Sequence, residues 1–101
     1  MASLRVINRQ KKRELLVLKY SVVRDRLRVL MKDSRLTQED RQKYQMLMQR
    51  LPKDSNKCRL RNRCFKTGRG NGVYRTVGLC RNMFRFYAMK GDMPGLRKSS
   101  W

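Results

Sequence analysis

Cys64 and Thr67, then Cys80 and Met83 after twelve intervening residues, form two pairs of the same internal spacing. That is the frame of a four-ligand zinc ribbon. Only two of the four positions carry a good zinc ligand: a threonine hydroxyl and a thioether bind zinc poorly, and the chain has no histidine to replace them. Cys58 becomes a third ligand only if the chain folds back on itself, and a fourth would have to come from another chain. Cys64, Thr67, Cys80 and Met83 therefore read as a zinc-site remnant, two small buried thiols supporting a turn, with no metal and no other cofactor expected. Catalysis is as poorly provided for. The seven acids are scattered and leave no paired general acid and base. Cys64 among many cations is the one catalytic hint, but it has no base or orienting partner in the sequence. Neither an enzyme nor a small-molecule substrate is expected.

The second chemistry is that of cations. Between Asp54 and Asp92 there is no acidic side chain, yet Lys57, Arg59, Arg61, Arg63 and Lys66 fall there, followed by Arg69, Arg75, Arg81, Arg85 and Lys90. Like charges this dense repel one another and oppose compaction, so a polyanion must neutralise them. Phe65, Tyr74, Phe84, Phe86 and Tyr87 are interleaved with them, and glycines stand where backbone can approach a ligand closely. In an extended chain the alternation of Arg59, Arg61 and Arg63 places three guanidinium groups on one side about 6.6 Å apart, near the spacing of successive phosphates. The tail adds Arg97, Lys98 and a terminal Trp101, whose ring is costly to leave in water and is expected to stack on a base or the protein.

Several elements must position these groups. From about residue 3 to 32 there is no Gly or Pro, and a helix about 45 Å long is expected. Leu4, Ile7, Leu15, Leu18, Val22 and Val29 fall on one apolar stripe, flanked by Leu16, Val23, Leu27 and Leu30. So long a helix exceeds the protein's own core, and it should be held by other molecules. Thr37 offers a cap for a second helix, with Asp40 three residues on as a weak capping box. Tyr44, Leu47, Met48 and Leu51 form an apolar face able to pack on the first helix as a hairpin, and Pro52 stops it. Residues 67–72 make a turn that lacks the Gly-Lys-Ser/Thr ending of a nucleotide-binding loop. A short strand over residues 73–77 is expected to pair with the arm before that turn, and a third helix to run from about Leu79 to Lys90, ended by Gly91. The fold class is mainly α and extended: an N-terminal helical hairpin over residues 1–52, then a basic arm, a degenerate zinc-ribbon-like module and an irregular tail over residues 53–101.

A net charge of +20 over 101 residues, with 34% charged residues and a mean hydropathy of −0.80, bounds the partner. Phosphate backbones explain it best, because each neutralised phosphate releases condensed counterions. Part of the chain should stay disordered until it meets them. No apolar run is long enough to span a bilayer, and the cations are not confined to one helix face, so no membrane partner is expected. Three cysteines cannot all pair, and the first residues lack the apolar core of a secretory signal, so a reducing compartment is favoured. The acid-free segment over residues 1–13 has the composition of a transit peptide, but it continues without a break into the helix.

On Leu51-Pro-Lys-Asp-Ser55, Arg61-Asn62-Arg63-Cys64, Thr67-Gly68-Arg69, Gly78-Leu79-Cys80-Arg81, Phe84-Arg85 and Pro94 to Trp101, the chain resembles the small-subunit ribosomal protein fourteen family in its long, zinc-less bacterial and organellar form. The order and spacing match over about residues 51–101. In short members of that family four cysteines bind zinc at the positions held here by Cys64, Thr67, Cys80 and Met83; in long members most or all are replaced. The turn departs from the pattern, with Gly70-Asn71-Gly72 where a proline commonly follows the arginine, which implies a looser loop. The resemblance implies a structural constituent of the small ribosomal subunit that binds the ribosomal RNA of the head near the decoding region, beside small-subunit proteins three, ten and nineteen. It carries RNA contact onto Arg61, Asn62, Arg63, Thr67, Gly68, Arg69, Arg81, Arg85, Lys98 and Trp101. Retention of Cys64 and Cys80, the Ser-Ser-Trp end and the absence of a separate targeting extension resemble a mitochondrially encoded member, with bacterial cytoplasm or plastid as alternatives. Cations would neutralise phosphate with little base-edge readout, and Phe65, Tyr74 or Trp101 would take unstacked bases. The competing function is a free-standing nucleic-acid binder that compacts DNA or remodels RNA.

Overall fold

The structure is a computed structural model, and it describes residues 1–99. Three helices account for most of the regular structure: α1 over Leu4–Lys32, α2 over Gln38–Arg50 and α3 over Arg81–Lys90, with a two-stranded antiparallel sheet of β1 (Val73–Tyr74) and β2 (Leu79–Cys80). Packing groups the chain into two units, Arg9–Leu60 and Met1–Asn8 with Arg61–Trp101.

In the unit over Arg9–Leu60, α2 starts where Thr37 accepts from the Asp40 backbone N–H (3.4 Å) and donates its hydroxyl to the Asp40 carboxylate (2.9 Å). Thr37 thus caps the helix, with Glu39 and Asp40 in the first turn against the positive end of the helix dipole. Pro52, lacking an N–H, follows the last helical turn. The buried residues of α1 here are Gln10, Val17, Arg24 and Leu27. That is a different stripe from the one marked by apolar spacing: Leu15, Leu18, Val22 and Val29 are all exposed, Leu18 by 75%. Hydrogen bonding decides the matter, because an arginine can be buried wherever carbonyls and hydroxyls meet its planar fork. The Arg24 guanidinium donates to Ser55 Oγ (2.8 Å), the Pro52 carbonyl (3.1 Å) and Met48 Sδ (3.6 Å), joining α1 to the end of α2 and the turn beyond it. Ser55 in turn donates its hydroxyl to the Pro52 carbonyl at 2.5 Å.

The chain then makes two single-turn 3-10 helices, Lys53–Ser55 and Lys57–Arg59. The second corrects the expectation of an extended arm from residue 57. Asn56 accepts the Cys58 backbone N–H through its side chain (3.2 Å), which winds the backbone here and breaks the even spacing expected of Arg59, Arg61 and Arg63.

In the unit formed by Met1–Asn8 with Arg61–Trp101, Cys64, Leu79 and Cys80 are the buried centre, with Val73, Met83, Phe84, Tyr87 and Met93 packed around them. The strand at Val73 pairs with Leu79–Cys80 and not with the preceding arm. Tyr74 closes the connection by accepting the Gly78 N–H (2.7 Å), and Gly78 has φ +72, a conformation for which the missing Cβ is needed. Because residues 79 and 80 are taken by the sheet, α3 begins at Arg81 and not at Leu79. Gly91 ends it in the left-handed region (φ +84), its N–H donating to the Ala88 carbonyl and that of Asp92 to the Tyr87 carbonyl.

Candidate nucleic-acid interface

The loop over residues 61–72 is held by the cations that the sequence assigns to a ligand. Arg61 Nε donates to the Gly70 carbonyl (2.9 Å), and Arg61 Nη2 donates to the Asn71 side-chain oxygen. Arg63 Nη1 donates to the Gly68 carbonyl (3.0 Å). A Cβ at Gly70 would lie 2.8 Å from Arg61 Nε, so that glycine is what lets the guanidinium lie on the backbone. Backbone bonds complete the loop: Cys64 N–H to the Arg69 carbonyl (2.9 Å) and Gly68 N–H to the Cys64 carbonyl (2.8 Å). The first residues of the chain also pack here. Ala2 N–H donates to the Thr67 carbonyl (3.1 Å), and Ile7 lies so close to Gly68 that a Cβ there would meet its side chain at 2.8 Å. Nothing in the residue pattern marks Ala2 and Ile7 as neighbours of a turn sixty residues away, and sequence reasoning missed them.

Around this frame most of the marked cations face solvent. Lys57, Arg75, Arg81, Arg85, Arg97 and Lys98 are exposed and make no ion pair among the described residues, and Asn62 is exposed as well. Arg69 is half-buried. Lys66 Nζ stands 5.6 Å from the Phe65 ring, whose face is largely open. Two of the marked cations are already matched: Arg59 Nη1 pairs with Asp54 (3.1 Å), which Arg13 Nε also approaches (3.5 Å), and Lys90 pairs with Asp92 (3.8 Å). Both are surface pairs of little energetic weight, so the cations remain available to a stronger anion. Trp101 lies outside the described residues.

Cys64, Thr67, Cys80 and Met83 lie together. Cys64 and Cys80 are each 1% exposed and unpaired, Thr67 Oγ1 lies 3.9 Å from Cys80 Sγ, and Met83 packs against the cluster they form with Leu79. Burial works to raise the Cys64 pKa, but the Thr67 hydroxyl and the backbone N–H groups of Cys80, Thr67 and Lys66 donate to its sulfur. Together these donors outweigh burial and bring the thiol from 9.0 down to about 6. Tested against zinc, the donors do not fit: among the described residues no three His, Cys, Asp or Glu side chains come together, and Cys58 is exposed elsewhere. The hydroxyl and thioether in the other two positions hold the thiols by hydrogen bonding and packing.

Beside β1, Tyr74 and Phe84 place their ring centroids 4.9 Å apart at 57°, at the edge of a cleft of about 400 Å³ whose wall carries Arg81, Arg85, Arg97 and Lys98. Leu96 and Ser99 of the Pro94 to Trp101 ending also line it, as do Asn82 and Ala88, which were not singled out from the sequence. The i, i+4 spacing of Arg81 and Arg85 was a legible signal; the return of the tail was not. Among the described residues no helix is long and apolar enough to cross a membrane.

Among the described residues the ensemble is a basic, aromatic-bearing surface on a frame with no catalytic pair, the chemistry expected of a nucleic-acid-binding module. Comparison with known proteins is specific. The family model described as ribosomal protein S14p/S29e matches residues 47–100. The chain is 46% identical over its full length, and over the full length of the relative, to the small ribosomal subunit protein uS14 of Francisella tularensis subsp. novicida. It has the same identity and coverage to the small ribosomal subunit protein uS14 of Synechococcus sp. (strain JA-2-3B'a(2-13)). The chain belongs to the ribosomal protein S14p/S29e family, and its role is structural within the ribosome and not enzymatic.

Proposed function

We propose that the chain is a structural constituent of the small ribosomal subunit that binds ribosomal RNA of the subunit head and supports its assembly near the decoding region. The observation that carries this is the acid-free run of cations from Lys57 to Lys90 on a chain alignable from end to end with relatives named as small-subunit proteins. Phosphate is met first by Lys57, Arg75, Arg81 and Arg85, which have no acidic partner among the described residues, with Arg69, Lys66, Arg97, Lys98 and Asn62 adding contacts. Arg63 has donors left after bracing the loop, since a guanidinium carries five N–H groups, and Arg61 adds its charge. Trp101 belongs to this set by its chemistry.

We take residues 53–101, the basic arm and ribbon-like module, to press into RNA, while the helical half over residues 1–52 runs between RNA and neighbouring proteins. The exposed Leu15, Leu18, Val22 and Val29 on α1 support protein contact, with small-subunit proteins three, ten and nineteen as the neighbours inferred. The module around Cys64, Thr67, Cys80 and Met83 is a degenerate zinc ribbon in which packing replaces metal. The inferred compartment is the mitochondrial matrix, supported by the retained Cys64 and Cys80; the bacterial relatives fit the alternative of bacterial cytoplasm, and a plastid is the third. Sedimentation of extract in magnesium-containing buffer tests the function: the protein is expected with the small subunit. Recovery in ribosome-free fractions, bound to DNA or RNA, establishes a free-standing nucleic-acid binder instead. Organelle fractionation separates the compartments.

A further inference from the structure

The cleft beside β1 has more than phosphate chemistry. Its wall carries the cations Arg81, Arg85, Arg97 and Lys98, no acidic side chain among the described residues lines it, and none of the four makes an ion pair with a described residue. Its edge carries the tilted pair Tyr74 and Phe84, with Tyr74 49% exposed. A volume of about 400 Å³ falls within the range of roughly 300–1,000 Å³ typical of small-ligand sites. Duplex RNA presents phosphates on a convex surface with its bases stacked inside, and it would use the cations without the rings. A lone unpaired nucleotide brings both: a flat base for an aromatic face and flanking phosphates for guanidinium groups.

We propose that this cleft takes one extruded nucleotide of RNA, its base stacked on Tyr74 and its flanking phosphates held by Arg81, Arg85 and Arg97. The proposal rests on the RNA-binding reading above and adds to it a place where a single base leaves the helix. Phe84 backs Tyr74 from the core side, since it packs on Cys64, Leu79 and Cys80 and so sets the tilt of the outer ring.

The test uses the full chain and two RNA hairpins that differ only by one unpaired 2-aminopurine in the stem. The bulged hairpin is expected to bind on the order of tenfold tighter than the paired one, with quenching of the 2-aminopurine fluorescence as it stacks. Tyr74→Ala should abolish the preference and the quenching, and Tyr74→Phe should keep both. Equal affinity of the native chain for the two hairpins, or undiminished fluorescence on binding, overturns the cleft's role and leaves RNA binding standing; this reading needs no variant to fold. Failure to bind either hairpin overturns the RNA-binding reading and the cleft with it.

Discussion

Replacing Arg61 and Arg63 together by alanine should have two separable effects, because the structure gives each guanidinium a bracing role that is additional to its charge. The bracing part includes three hydrogen bonds, to the Gly70 carbonyl, the Asn71 side chain and the Gly68 carbonyl. Bonds from a charged donor contribute about 1.5–3 kcal/mol when buried, but Arg61 is exposed and solvent screens it, so about 0.5–1 kcal/mol for each of its bonds is reasonable. With about 1–2 kcal/mol for half-buried Arg63, the loop loses roughly 2–4 kcal/mol. Local opening then becomes roughly 30- to 700-fold more frequent, and hydrogen exchange at the Cys64 and Gly68 amides, which close the loop, should accelerate by that factor. The charge part appears in RNA binding: two phosphate contacts fewer reduce the slope of log affinity against log salt by about 1.4 for single strands and about 1.8 for a duplex. Arg→Lys at both positions separates the two effects. It keeps the charge and loses the planar fork, so the salt slope should hold while exchange still accelerates. Unchanged exchange in both variants refutes the brace, and an unchanged slope in the alanine variant refutes phosphate contact.

Three further outcomes follow from the packing. Gly68→Ala should cost about 2–5 kcal/mol, because φ +74 is strained for an L-residue and the new Cβ would meet Ile7 at 2.8 Å; Gly91→Ala, with φ +84 but open space, should cost only about 1 kcal/mol. Urea unfolding of the two variants checks the difference, and equal costs would remove Ile7 from the turn. Arg24→Ala and Ser55→Ala should each destabilise the chain, and a double-mutant cycle should show a coupling of about 1–3 kcal/mol; strict additivity of the two would break the proposed link between α1 and the turn after α2. For Cys64 the folded pKa of about 6 lies below the ordinary 9.0, so the thiolate's contribution to stability is complete above pH 9 and is lost as pH falls through 6. Melting temperature of the RNA-bound chain should rise between those limits, and Cys64→Ser should flatten the rise.

The residues alone settled the partner class, because no arrangement of a chain with 27 Lys and Arg against 7 acids can neutralise itself. They also located α1 and α2 closely, since the absence of Gly and Pro, the Thr37 cap and Pro52 act locally. Local signals failed where a choice between equivalent stripes or strands had to be made. Apolar spacing on α1 marks a face, but the buried face is the one where Arg24 finds Ser55 and Pro52, thirty residues away. Val73 is a strand in either reading, yet its partner at Cys80 was decided by the turn at Gly78, and that pairing moved the start of α3. The basic residues were legible one by one, whereas tertiary packing alone could turn Arg61 and Arg63 inward to the loop's carbonyls and bring Arg97 and Lys98 back beside Tyr74. Charge acts at long range and survives any folding of the chain; a hydrogen bond or a cleft exists only once the backbone has placed its two sides together.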